Sequence, residues 1–230
     1  MFEVIVNFAY FGLLLTLLAF QLGLFLKRRF KLSIFNAPFV SIVVTICVLL
    51  LFDIDYTTYY SSAKYLTYLL TPATVCLAVP LYHQIVLLKK HLFAILISVA
   101  CGVLAGLVSI YLLCLIFHFD HTMYNTLLPK STTTVIGMEV SKIHGGYVTI
   151  TIIAICVTGV LGNTFAEAAC RIFKLEDPIA QGLAIGTSSH VSGTTRAMSM
   201  GEIQGAMSSL ALVVAGLLTV IFAAFFTQFI

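Results

Sequence analysis

The chain has 230 residues, of which 60% are hydrophobic and 9% charged, with a formal net charge of +3. An ordinary soluble domain carries roughly 25% charged residues and could not bury this much apolar side chain in one core, whereas hydrocarbon lipid accepts it on every outward face. Composition therefore excludes soluble-enzyme, disordered and nucleic-acid-binding readings, and predicts an all-α polytopic membrane protein of about seven or eight segments at ~20 apolar residues per span.

The first apolar stretch, from about Ile5 to Leu26, ends at the basic cluster Lys27, Arg28, Arg29 and Lys31. It is too long for a signal-peptide core and its charges follow it, so it is expected to stay as a membrane helix. Positive-inside logic places the cluster in the cytoplasm, and the N-terminus and Asp53 outside. A second apolar run ends at Phe52, and Tyr56 to Tyr60 read as headgroup-level aromatics. The next segment is interrupted by Pro72 and Pro80, and a clean span follows from about Leu92 to Phe117. The stretch 127–141 then reads LLPKSTTTVIGMEVS, with Pro129, Lys130, four consecutive hydroxyl residues and Glu139 among apolar neighbours. A further helix from about Tyr147 to Ala166 carries Gly159 and Gly162 and leads to the charged stretch Arg171 to Asp177. Pro178 opens a helix whose apolar pattern dissolves at Gly186 into TSSHVSGTTRAM, and an uninterrupted span resumes after Gly205.

Three segments are thus expected to be broken, near Pro72 to Pro80, Pro129 to Thr134 and Gly186 to Gly193. The first two resemble each other at a period of about 57 residues, which suggests an internal duplication. Interrupted helices at corresponding positions are the repeat architecture of secondary transporters. Each break is compatible with a discontinuous span or a re-entrant hairpin; Arg171 and Lys174 favour a hairpin for the second.

Unwound backbone at membrane depth must be buried in protein or line a wet cavity, so the breaks imply a cavity on which they converge. Arg196 is costly in a membrane segment, by about 2.5 to 3.5 kcal/mol on insertion scales, and needs either a protein carboxylate or an anionic ligand. Its planar fork suits a carboxylate. The candidate binding groups are Arg196 with Thr187, Ser188, Ser189, His190, Gly193, Thr194 and Thr195 in the third break, faced by Lys130, Ser131 and Thr132 in the second. His190, Glu139 and Glu202 are candidates for proton coupling or for pairing the cations; an internal ion pair of Arg196 with Glu202 or Glu139 stays open. Gly182 and Gly186 fit a helix-packing notch better than a ligand surface. The six cysteines have no CxxC or Cys/His spacing, so no disulfide framework, metal site or cofactor is expected. No nucleophile motif, P-loop or dinucleotide glycine pattern marks an enzyme.

Four ordered motifs carry a resemblance: TPATVCLAVPLY from Thr71, LLPKSTTT with MEVS from Leu127, DPIAQGLAIGTSSHVSGTTRAM from Asp177 and GEIQGAMSSLA from Gly201. Together they resemble the LrgB/CidB family of bacterial membrane proteins, with NAPFVS at 36–41 closer to LrgB. Val191-Ser192 departs from the glycine and aliphatic residue that many relatives carry after the histidine. The resemblance implies a single transmembrane domain over 1–230, read here as a helix pair at 1–60 and a broken-helix bundle at 61–230, in the bacterial cell membrane. It implies two activities: antiholin-like control of murein hydrolases and autolysis with a smaller LrgA/CidA-type membrane partner, and movement of small monocarboxylates such as pyruvate or glycolate. The residue pattern favours transport of a small carboxylate anion. Small residues such as Gly102, Gly106, Gly159 and Gly162 suggest a homodimer.

Overall fold

The computed structural model describes residues 10–30, 37–69, 72, 75–76, 78–83 and 85–229. The chain divides into two compact units, Met1–Leu77 and Ala78–Ile230. Every regular element among the described residues is helical.

In the first unit, α1 (Phe11–Phe30) places Lys27, Arg28 and Arg29 in its last turn, where cations complement the helix dipole. It packs on α2 (Ala37–Leu51) through Gly23, whose missing side chain lets the backbone of Ala37 approach. Asp55 caps α3 (Tyr56–Ala63) by accepting from the backbone N–H and the hydroxyl of Thr57. This short helix returns to α1: the Gly12 N–H donates to Ser62 Oγ at 2.7 Å, and the Thr16 and Tyr59 hydroxyls lie 2.8 Å apart. Residues 61–69, which end in a 3-10 turn at Lys64–Leu69, therefore belong with the N-terminal helix pair.

The second unit begins with α4 (Ala78–His83). Pro80 lies in its first turn, where a missing N–H costs no intrahelical bond. Pro72 is also helical; residues 70, 71, 73, 74 and 77 of the first expected break lie outside the described residues. Next come α5 (Ile85–Ile116), α6 (His121–Leu127), α7 (Thr134–Ile143), α8 (Val148–Ile172), α9 (Pro178–Met200) and α10 (Glu202–Phe226). The stretch Leu92–Ile116 of α5, with α1, α8 and α10, is long and apolar enough to cross a bilayer; α2 is a shorter apolar helix. The chain is a multi-pass membrane protein.

Helices α6 and α7 form a re-entrant hairpin. Non-helical backbone separates them at the Pro129 to Thr133 break, and the end of α7 returns to the level of Asn125 and Thr126. Asn125 Nδ2 donates to the His144 carbonyl at 2.8 Å, Tyr147 N to Thr126 Oγ1 at 2.8 Å, and Thr151 Oγ1 to the Thr126 carbonyl at 2.8 Å. The turn after α7 is thereby tied to the end of α6, and α8 starts beside it.

Helix α9 is a second hairpin, whose reversal is concentrated at His190 (φ 43°, ψ −140°). Gly193 lies against Ile185 and Ser189, an approach that a straight helix forbids. Arm 178–189 runs parallel to α10, with Gly182 against Gln204 and Met207 and Gly186 against Ser208 and Ala211. Arm 191–200 runs back: Thr194 bonds Ser208 and Met198 meets Gly205.

Helix α8 is 25 residues long, ~37 Å at 1.5 Å per residue, long and apolar enough to cross a bilayer from end to end. The first hairpin precedes its N-terminus and the second follows its C-terminus, so the two hairpins enter from opposite ends of α8. Each is followed by a span, α8 or α10, which makes an inverted pair of hairpin-plus-span units. Their starts repeat in detail: His118 (φ 53°) and Lys174 (φ 52°) end the preceding helices in the left-handed conformation, and Asp120 and Asp177, 57 positions apart, cap the new ones. This repeat pairs the second break with the third, not the first with the second as the sequence suggested, and part of the first break lies outside the described residues.

Candidate functional site

The hairpin tips come together beside Ile155 of α8. Its side chain fills the space left by Gly137 of the first hairpin, and its carbonyl accepts a hydrogen bond from His190 Nε2 at 2.9 Å. The first tip is held by its own hydroxyls: buried Thr132 Oγ1 donates to the Pro129 carbonyl at 2.8 Å. The second is seated on two side-chain-free positions of α8. Gly159 faces the His190 ring and Ser192, and Gly162 faces Ser189 so closely that a β-carbon would overlap its side chain.

Between these tips and α5 lies a cavity of about 680 Å³. One wall is the α5 face from Ala94 to Ile110, which carries Ser98, Gly102 and Gly106; another is the length of arm 178–189, ending at Thr187 and Ser188. Leu128, Lys130 and Ser131 close it from the first hairpin, and Thr219 comes from α10. The lining is largely apolar, with Lys130, Ser131, Thr187 and Ser188 from the two hairpins and Asp177 at the start of the arm, the usual form of a small-ligand site. Lys130 is its cation: half-buried, it makes no ion pair among the described residues and reaches only the Ser131 hydroxyl, at 3.4 Å. Asp177 lines the same cavity while capping α9, accepting from the N–H groups of Ile179 and Ala180 at 2.7 and 3.1 Å.

The structure separates the expected binding residues into three groups. Lys130, Ser131, Thr187 and Ser188 line the cavity. Thr132, Ser189, His190, Gly193 and Thr194 build the tips: Ser189 and Thr194 are buried, and Thr194 Oγ1 donates to the His190 carbonyl while pairing with Ser208 Oγ, both at 2.9 Å. Thr195 and Arg196 lie on the other side of the hairpin, toward α8. Asn163 Nδ2 donates to the Ser192 carbonyl at 2.6 Å and to Thr195 Oγ1 at 3.0 Å, and Arg196 pairs with Glu167 at 2.8 Å. Arg196 thus does not face Lys130 across the cavity, and the carboxylate beside it is neither Glu139, exposed on α7, nor Glu202, exposed in the first turn of α10. Sequence reading passed over Glu167 and Asn163. Their signal was available: they stand four apart, on one face of an otherwise apolar helix. Gly182 and Gly186 are packing notches against α10, and Gly159 and Gly162 are occupied within the chain, so these last two offer no free dimer surface.

The model of the LrgB-like family matches residues 16–229. The antiholin-like protein LrgB of Bacillus subtilis (strain 168) is 35% identical over 222 residues, covering 96% of each chain. Proteins of the same name from Bacillus mycoides (strain KBAB4) and Bacillus cereus (strain B4264) are 32% identical over 222 residues, with the same coverage. No solved structure is significantly similar to the chain.

Proposed function

The chain belongs to the LrgB-like family, and from that premise we propose that it carries small monocarboxylate anions, of pyruvate or glycolate type, across the bacterial cell membrane. The observation that carries this reading is the meeting of two oppositely inserted hairpin tips at a cavity whose cation, Lys130, has no protein counter-ion among the described residues. Inverted repeats with interrupted helices at the midplane are the form of alternating-access carriers. A lysine held at membrane depth without a carboxylate is stabilised by a mobile anion, and Ser131, Thr187 and Ser188 supply donors for the remaining oxygens. In this reading Arg196 steadies the second hairpin through Glu167 rather than coordinating the anion in the cavity.

Uptake of labelled pyruvate into vesicles containing the purified protein tests the proposal. Counterflow above protein-free vesicles, lost on Lys130→Gln, is the expected result; uptake indistinguishable from empty vesicles would overturn it.

The antiholin-like name of the relatives favours a second reading, in which the chain tunes a holin-like LrgA/CidA-type partner and so murein hydrolase export. The two are joined if altered carboxylate flux changes the lytic state. Variants at Lys130 and Ser188 should then change uptake and autolysis in parallel at equal protein level, with and without the partner. An uptake-dead variant that controls lysis normally would favour the partner contact alone.

A further inference from the structure

The arm 191–200 carries Ser192, Thr195, Arg196 and Ser199, at positions i, i+3, i+4 and i+7, and therefore on one helix face. Opposite lie Asn163 and Glu167, four apart on α8 and joined to that face by the bonds described above. This polar face lies away from the cavity, on the far side of the hairpin. It begins near the chain turn at 173–177, at the membrane surface, and runs inward to the tip beside His190. It is open: Thr195 and Ser199 are exposed, and the Glu167 side chain is 45% exposed. Arg196 keeps a buried Nε with no hydrogen-bond partner.

The Thr195 and Ser199 hydroxyls donate to the Ser192 and Arg196 carbonyls at 2.7 Å, so the weight falls on the half-exposed ion pair, which would lack solvation against hydrocarbon. We propose that this face is the wall of a water-filled vestibule leading from the surface at 173–177 to the tip of the second hairpin, with Arg196 as its anion-attracting group and Glu167 setting how much of that charge is felt. The cavity at Lys130 and the vestibule then meet on the two sides of one thin element, the His190 turn. What flows through the vestibule rests on the transport reading above; its hydration does not.

Thiol accessibility decides it. Thr195→Cys and Ser199→Cys, each compared with the parent protein to subtract the native cysteines, should react with a membrane-impermeant thiol reagent from the 173–177 side at rates approaching that of Glu176→Cys. Leu161→Cys, half-exposed on α8, should stay unreactive as a lipid-facing control. Labelling of Thr195→Cys and Ser199→Cys no faster than of Leu161→Cys would overturn the vestibule, as would equal labelling of all three. Adding Glu167→Gln to Ser199→Cys should raise the ratio of labelling by an anionic over a cationic reagent several-fold, since it uncovers the guanidinium. An unchanged ratio would remove Arg196 from the path. Normal labelling together with absent pyruvate uptake would fail the transport reading and leave the vestibule standing.

Discussion

His190 Nε2 lies 2.9 Å from the carbonyl oxygen of Ile155, thirty-five residues earlier, and a carbonyl can only accept, so the ring nitrogen is the donor. That bond fixes the tip of the second hairpin to the middle of α8, at the residue whose side chain also supports the first. Because His190 is left-handed (φ 43°), its replacement separates two effects. His190→Ala removes the bond while keeping the strain and should lower stability by about 1–3 kcal/mol. His190→Gly loses the same bond but relieves the backbone, and should retain about 1 kcal/mol more than the alanine variant. Thermal unfolding in detergent gives both numbers. Equal stability of the two variants would remove the strain argument.

Gly162 and Ser189 give a sharper test of hairpin seating. A β-carbon on Gly162 would overlap the Ser189 β-carbon as well as its hydroxyl. Gly162→Ala should cost about 1–3 kcal/mol as overpacking. Adding Ser189→Gly should restore most of it, whereas adding Ser189→Ala should not, because the obstructing carbon remains. Unfolding midpoints of the parent, Gly162→Ala and the single and double variants of each Ser189 change form the two cycles.

Thr151 holds the first hairpin from α8. Its buried hydroxyl bonds the Thr126 carbonyl and lies 2.8 Å from Ser141 Oγ. Thr151→Val keeps the shape and leaves these groups unsatisfied, for an expected loss of about 1–3 kcal/mol. Hydrogen exchange should quicken at 126–147 and stay unchanged at 185–195. Uniform quickening would show that the two hairpins open together.

The cavity and the ion pair should respond differently to charge removal. Lys130→Gln should weaken carboxylate binding by roughly 10- to 100-fold, the value of a charge-assisted hydrogen bond of about 1.5–3 kcal/mol. The Arg196–Glu167 pair is part-exposed, at 24% and 45%, so its coupling in a double-mutant cycle should not exceed about 1 kcal/mol. Calorimetric binding and unfolding of the single and double variants measure both. A larger coupling would mean that the pair is drier than its exposure indicates.

The second hairpin shows what was legible in the sequence. Glycines at 186 and 193 and the hydroxyl run between them mark the break, yet neither glycine makes the reversal. Gly186 is occupied by the backbone of Ser208, and Gly193 by Ile185 and Ser189. Close approach uses up the residues that local rules would assign to the turn, and the left-handed conformation falls to His190. The first hairpin follows local rules better: Pro129 and Thr133 stand where helix stops and restarts. Asn163 and Glu167 mark a polar face on α8 in the sequence, but that this face meets Arg196 is decided only by the fold-back of 191–200. Periodicity gives a helix's existence, but a reversal inside one decides which distant residues become neighbours.

The two hairpins also differ in when they can close. The base of the first is tied by groups that are all present once Thr151 has been synthesised, although its Tyr124 hydroxyl still awaits the Phe226 carbonyl. The second takes its packing from α10, which follows it in the chain: Gly182 and Gly186 have nothing to rest on until residues 204–211 arrive. During translation the base of one hairpin therefore closes while the other hairpin waits, with a polar arm unsheltered in or near the bilayer. A chain halted before Glu202 would hold a first hairpin tied at its base and an open second one, and membrane quality-control proteases would find their substrate at residues 178–200.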